Sequence, residues 1–160
     1  MTEKTQAMRA LEGKKIAYAV LTYSADTRDA EEVALLVGLP PNEVFKTLVV
    51  MPPEPGKKPM LVMIPADKHL NLKQLAAASG AKKLKMATQR EAEQLTGLQV
   101  GGISAVALLN KGFAVFIDRA AQAVPSVCIS AGKRGLQIRL ATADLIKLTN
   151  ARVVDMTAEE

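Results

Sequence analysis

Val44-Phe45-Lys46-Thr47-Leu48-Val49-Val50 runs between Pro40-Pro41 and Pro52-Pro53. β-branched and aromatic residues dominate it, and the proline pairs bar a helix from running through, so it predicts a strand. Side chains alternate across a strand, which puts Lys46 on one face with Val44, Leu48 and Val50. An ammonium on an apolar face is costly to desolvate unless something answers it. Two readings stand open from this strand alone. Either an inward-pointing charge guards an edge strand, which is the commoner arrangement, or an anionic or carbonyl ligand meets the end of the side chain.

A chain of 160 residues, 49% of them hydrophobic, predicts one folded domain over 1–160 with a sizeable core. No apolar stretch is long enough to cross a membrane, and the polar start Met1-Thr2-Glu3-Lys4-Thr5-Gln6 does not resemble a signal peptide, so a cytoplasmic protein is expected. The single cysteine, Cys128, excludes an internal disulfide and lies in a strand-like segment, where a thiol usually serves as a small core hydrophobe. One cysteine and one histidine, His69, cannot build a Cys/His zinc site, and His69 reads as a surface residue near a helix start. Neither a metal nor an organic cofactor is expected, nor a histidine base.

Lysine and arginine total 21 against 16 acidic residues, an excess too modest for a charge-driven nucleic-acid coat. The basic residues gather at Lys14-Lys15, Lys57-Lys58, Lys82-Lys83 with Lys85, and Lys133-Arg134. Each group alone is a solvated face. Together they suit several phosphate contacts on a folded RNA better than a long duplex. Aromatics are too few for an extended base-stacking platform.

Along the chain, Thr5 to Glu12 predicts a helix with Met8 and Leu11 inward, then Ile16 to Tyr23 a strand. Asp26 or Asp29 caps a second helix, with Val33, Leu36 and Val37 as its apolar stripe and Gly38 as its stop. The Lys46 strand and Met60–Pro65 then form a hairpin around a proline- and lysine-rich loop. A third helix spans about Asn71 to Ala78, and Thr88 with Glu91 forms the capping box of a fourth. Phe113–Ile117 and two strands flanking Gly132-Lys133-Arg134-Gly135 follow, then a helix capped by Thr142 and a short strand at Val153-Val154. Strands alternating unevenly with helices predict an α+β fold with a mixed sheet.

Several segments occur in a specific order: Ala30-Glu31-Glu32-Val33-Ala34, Gly38-Leu39-Pro40-Pro41, the Lys46 strand, Pro65-Ala66-Asp67, Gly80-Ala81-Lys82-Lys83, Thr96-Gly97, Val100-Gly101-Gly102-Ile103-Ser104 and Ser130-Ala131-Gly132-Lys133-Arg134-Gly135-Leu136. From about residue 5 to 155 this set resembles the YbaK/EbsC family, free-standing relatives of the editing domain of bacterial prolyl-tRNA synthetase. The resemblance implies a mixed, β-barrel-like sheet surrounded by helices. It also implies hydrolysis of the ester in mischarged aminoacyl-tRNA, above all cysteine on tRNA(Pro), with prolyl-tRNA synthetase as a possible partner.

By the same resemblance Lys46 matches the family's functional lysine, which overturns the edge-guard reading. Gly101, Gly102, Ile103 and Ser104 match the loop that approaches the substrate carbonyl, where backbone N–H groups can stabilise an oxyanion. Tyr23, Ser130 and Asp118 match substrate-pocket positions, although Asp118 also suits a strand-end turn. Gln137 stands where some relatives carry an acid, which removes a partner for the substrate's ammonium. Lys133 and Arg134 either meet the tRNA acceptor stem or form an exposed turn.

The chain departs from the family pattern in the loop. Ala105 replaces a proline, Ala107 a glycine, and Leu109-Asn110 a lysine pair, so Ala105 to Leu109 is expected to be less rigid and partly helical. The segment after Tyr23 is short and lacks an aromatic. With no convincing nucleophile, catalysis is expected to rest on positioning and electrostatics. A cysteinyl thiol can attack its own ester, whereas an alanyl or seryl ester needs a positioned water. The rival readings are a deacylase for another small amino acid, a non-catalytic aminoacyl-tRNA binding module, and an accessory to the synthetase.

Overall fold

Met60-Leu61-Val62-Met63-Ile64-Pro65 is apolar in both alternating sets, the pattern of a strand covered on both faces. In the computed structural model, which describes residues 4–26, 29–52 and 58–158, it is indeed the middle strand of a five-stranded sheet. Here β1 is Ala19–Thr22, β2 Phe45–Met51, β3 Met60–Pro65, β4 His69–Leu70, β5 Lys85–Met86, β6 Ala114–Asp118, β7 Ser126–Ser130, β8 Leu136–Ala141, β9 Arg152–Val154 and β10 Thr157–Ala158. The helices are α1 Gln6–Gly13, α2 Ala30–Val37, α3 Leu72–Ser79, α4 Gln89–Thr96 and α5 Thr142–Thr149. Most of the expected proline- and lysine-rich loop, with Lys57, lies outside the described residues.

The large sheet runs β5-β2-β3-β6-β9. β2 pairs antiparallel with β3, which puts Lys46 opposite Ile64 and realises the expected hairpin, while β3–β6 and β6–β9 are parallel. Alternation then sorts side chains into two cores. Phe45, Val49, Leu61, Met63, Val115 and Ile117 enter one, together with Ala7, Met8 and Leu11 of α1 and Leu145 of α5. Val50, Val62, Ile64 and Phe116 enter the other, which Leu75 of α3 closes.

A second, antiparallel sheet runs β1-β8-β7, and β4 and β10 form a small ribbon. The fold is α+β with helices around mixed sheets, as the uneven alternation predicts. The strands do not close into the expected barrel. β2 and β7 touch through a single parallel bridge, Val44 to Cys128, and beyond it the sheets are not paired. Among the described residues no helix is long and apolar enough to cross a membrane.

Helix ends follow the local chemistry. Thr5, Asp29 and Asn71 each cap a helix through a side-chain oxygen, and Thr88 and Glu91 complete the predicted capping box. Thr142 differs from expectation. It is the first residue of α5, its N–H donating to Pro125 O and its hydroxyl to Val124 O at 2.8 Å, so its side chain ties the helix start to the segment before β7 and does not cap it. On α2 the buried residues are Val33 and Ala34, whereas Leu36 is 53% exposed and does not complete the expected stripe. The first strand is shorter than Ile16–Tyr23, because Ile16 N–H still closes the end of α1 on Leu11 O. Ala105 to Leu108 forms turns whose Ala105, Val106 and Leu108 sink into the core, and Leu109 opens a short 3-10 helix, Leu109–Lys111, so the stretch is helical only at its end.

Two buried polar groups tie the layers together. Asp118 closes β6: one carboxylate oxygen accepts from Ala120 N–H and the other from Met156 N–H, both at 3.0 Å. Cys128 is fully buried between the sheets, and burial pushes its thiol up to about 12 against a weaker opposing pull from Arg139.

Asp118→Ala orphans the buried Met156 N–H and the part-buried Ala120 N–H and should cost about 2–3 kcal/mol in urea denaturation. Ionisation of Cys128 is disfavoured only in the folded state. Its contribution to stability is therefore intact below the thiol's ordinary range near 9 and is lost as the pH climbs from there toward about 12. Thiol alkylation at pH 8 should accordingly wait for unfolding, and Cys128→Ala should flatten the alkaline limb of the stability curve.

Candidate active site

The parallel bridge between Val44 and Cys128 sends β2 and β7 away from one point in the same direction. Lys46 and Ser130, each two residues on, thus come level across the gap between the sheets. Ser130 pairs with Gln137 on β8, Gln137 pairs with Leu21 on β1, and Tyr23 N–H donates to Gly135 O where β1 ends. Register alone gathers Lys46, Ser130, Gln137 and Tyr23. All four line a cavity of about 200 Å³, joined by Gly101 and Ile103 from the loop after α4 and by Asp29, Ala30 and Val33 of α2.

The cavity exists because β2 lacks a neighbour here. β5 pairs only with Val50 and Met51, so the stretch from Lys46 to Leu48 is an open edge. Val44 O accepts from Ala66 N–H on the β3 side at 2.8 Å, and Val49 O from Ala87 N–H on the β5 side at 3.0 Å. Backbone groups alternate along a strand, so those of Thr47 turn to the open edge. Lys46 and Thr47 both line the cavity although they lie on opposite faces of β2, and the Thr47 hydroxyl is buried with no hydrogen-bond partner.

Lys46 is half-buried, and its ammonium makes one long hydrogen bond, 3.4 Å, to Ala66 O. Among the described residues no carboxylate pairs with it. Its remaining donors can therefore take an incoming oxygen. Gln137 is 5% exposed, and its side-chain oxygen accepts from the Cys128 thiol at 3.4 Å, which leaves its NH₂ as the outward group. The Ser130 hydroxyl accepts from Gly132 N–H at 3.1 Å and keeps its own proton for the cavity.

The rest of the predicted set lies elsewhere. Asp118 is outside the cavity, both its oxygens held by backbone N–H groups. Gly102 is inside the loop and not on the wall: its N–H donates to Gln99 O at 2.7 Å, so it is already used. A Cβ there would come within 2.9 Å of Arg134 N and 3.1 Å of Lys133 C, so this position is glycine because another chain segment rests on it. Ser104 is fully buried and accepts from Ala107 N–H. Arg134 folds back, its Nε donating to Val100 O at 2.6 Å, and so braces the loop, while Lys133 remains exposed. The N–H groups of Gly101 and Ile103 have no acceptor among the described residues.

Reasoning from sequence passed over Asp29 and Thr47 as cavity residues. Asp29 was accounted for by its cap, and Thr47 by its place in an apolar strand. The open edge that exposes Thr47 depends on how short β5 is, which no local signal at Thr47 carries.

The aminoacyl-tRNA editing domain model matches residues 24–148. EbsC of Enterococcus faecalis, named as a candidate Cys-tRNA(Pro)/Cys-tRNA(Cys) deacylase, is 38% identical over 160 residues, covering 99% of this chain and 96% of that protein. A proline–tRNA ligase of Thermodesulfovibrio yellowstonii is 32% identical over 94 residues, 59% of this chain but 16% of the ligase. The crystal structure of a candidate trans-editing enzyme for prolyl tRNA synthetase superposes with a TM-score of 0.83 at 27% identity, over 98% of this chain and 99% of that one. Sequence and fold agree along nearly the whole length, and the chain belongs to the aminoacyl-tRNA editing domain family.

Proposed function

We propose that this chain hydrolyses the ester of mischarged aminoacyl-tRNA, with cysteine on tRNA(Pro) as its first substrate. The observation that carries the reading is the meeting of Lys46, which has no carboxylate partner among the described residues, with an open strand edge in a small cavity. The cavity takes the aminoacyl group in this reading, with the terminal adenosine at its mouth. The names of EbsC and of the trans-editing structure support the same chemistry.

The residues divide the work without a protein nucleophile. Cys128 is a buried thiol outside the cavity wall, Ser104 is fully buried, and His69 lies on β4 outside the cavity. Lys46 holds the ester or the adjoining phosphate by charge-assisted hydrogen bonds. As the carbonyl carbon becomes tetrahedral, the N–H groups of Gly101, Ile103 and Thr47 receive the oxyanion, and preorganised donors of this kind supply a large share of rate enhancement. Gly102 and Arg134 serve by stiffening that loop. Tyr23, Ser130 and Gln137 shape the amino-acid end of the site. In this reading Lys133, exposed on the neighbouring turn, meets a phosphate of the acceptor stem.

With a cysteinyl ester, the thiol sulfur bonds to the carbonyl carbon while the C–O bond to ribose breaks. The thiol proton passes to the departing hydroxyl, and the resulting thiolactone takes up water to give free cysteine. With an alanyl or seryl ester, water takes the place of the thiol.

The test is release of amino acid from tRNA(Pro) charged with cysteine, alanine, serine or proline. Cysteine release alone supports the leading reading. Alanine or serine release moves the chain to a water mechanism. Release from none, with the ester protected by stoichiometric protein, leaves a binding module. Lys46→Ala should keep its melting temperature and lose at least 100-fold in kcat/KM. Gly102→Ala should lose both stability and turnover, because its Cβ displaces the Lys133–Arg134 backbone from the loop.

A further inference from the structure

Among its described lining residues the cavity carries one cation, Lys46, and one carboxylate, Asp29. An aminoacyl ester asks for both. Its carbonyl and the neighbouring phosphate are answered by a cation, and its α-ammonium by an anion. The other polar groups on the wall cannot take the second part as well. The Gln137 oxygen is held by the Cys128 thiol and its NH₂ is a donor. The Ser130 oxygen already accepts from Gly132 N–H, and Tyr23 and Thr47 offer only neutral hydroxyls.

Asp29 is well placed and available. It is the N-cap of α2, where one carboxylate oxygen accepts from Glu31 N–H at 3.3 Å, and this bond fixes the group at the cavity rim. Among the described residues no cation pairs with it, so the second oxygen is open to a ligand. α2 itself is fastened to the meeting point of the sheets, since Ala34 packs with Val44 and Cys128.

We infer that Asp29 receives the α-ammonium of the aminoacyl ester, so that a free amino group is a condition of turnover and N-acylated esters, formylated or peptidyl, are rejected. The inference rests on the deacylase reading and deepens it. Lys46 and Asp29 bracket the substrate from its two charged ends, and the neutral residues between them meet the side chain.

The experiment compares Cys-tRNA(Pro) with N-acetyl-Cys-tRNA(Pro) as substrates of wild type, Asp29→Asn and Asp29→Ala. Asparagine caps a helix as well as aspartate, so Asp29→Asn removes the charge while α2 and the melting temperature stay in place. Wild type should prefer the free amine by tenfold or more. Asp29→Asn should lose about tenfold in kcat/KM on the cysteinyl ester, as expected for an exposed charge-assisted contact, with no change on the acetylated one. Asp29→Ala should show the same loss of selectivity together with a lower melting temperature. Equal turnover of both esters by wild type, or an equal fall on both in Asp29→Asn, overturns the role of Asp29 while leaving the deacylase intact. Release from neither ester by wild type overturns the cysteinyl-tRNA reading of the site and this inference with it.

Discussion

The contact on which the rest of the site depends is the parallel bridge between Val44 and Cys128. It is the point where two separately hydrogen-bonded sheets are tied together, and everything that lines the cavity is measured from it by counting residues. Around it the chain concentrates small and branched apolar groups: Val44 is 1% exposed, Ala34 and Cys128 are fully buried, and Ala66 packs beside them. Close packing at such a junction transmits small displacements directly, because an interior at crystal-like density has little slack. The ion pair between Glu43 and Arg139, the residue before Val44 and the residue opposite Cys128, fastens the same joint from outside. Both side chains are partly exposed, so it adds about 1 kcal/mol or less.

The open edge of β2 is unusual in being left bare inside the molecule. An unpaired edge normally invites other strands, and natural proteins cover or charge it. Here the lysine that first reads as an edge guard sits beside that bare edge, and the cavity wall shields it from other chains. The commoner and the sharper readings of Lys46 are two descriptions of one arrangement. The strand edge thus offers the cavity backbone donors and one cation.

Much of the fold was legible because its signals are local. The β2–β3 hairpin, the Thr88–Glu91 capping box and the glycine that stops α2 each follow from residues adjacent in sequence. The family resemblance supplied the order of the segments, and register then brings Tyr23, Lys46, Ser130 and Gln137 to one place. What stayed hidden depended on contacts between distant segments. A Gly-Gly pair does not say which glycine faces a ligand; here the turn at Lys133–Arg134 occupies the space over Gly102 and leaves Gly101 on the wall. Asp118 was a pocket acid by the resemblance and a strand-end turn residue by its local sequence; it sits as the second, and nothing nearby in sequence reveals that Met156, 38 residues away, claims its other oxygen. Asp29 was concealed by being fully explained as a cap.

Ala105 stands where the resemblance leads one to expect a proline ring, and the loop keeps its shape by other means. Val100 N–H donates to a Glu93 carboxylate oxygen at 2.9 Å, Gly102 N–H to Gln99 O, and the Arg134 guanidinium reaches back to Val100 O. A proline restrains its loop covalently, equally at every temperature. These contacts restrain it only while α4 and the distant turn stay docked, and each is an equilibrium that heating shifts. Rigidity of the loop is thus borrowed from the surrounding fold, and on warming this wall of the cavity should slacken some degrees before the molecule as a whole melts.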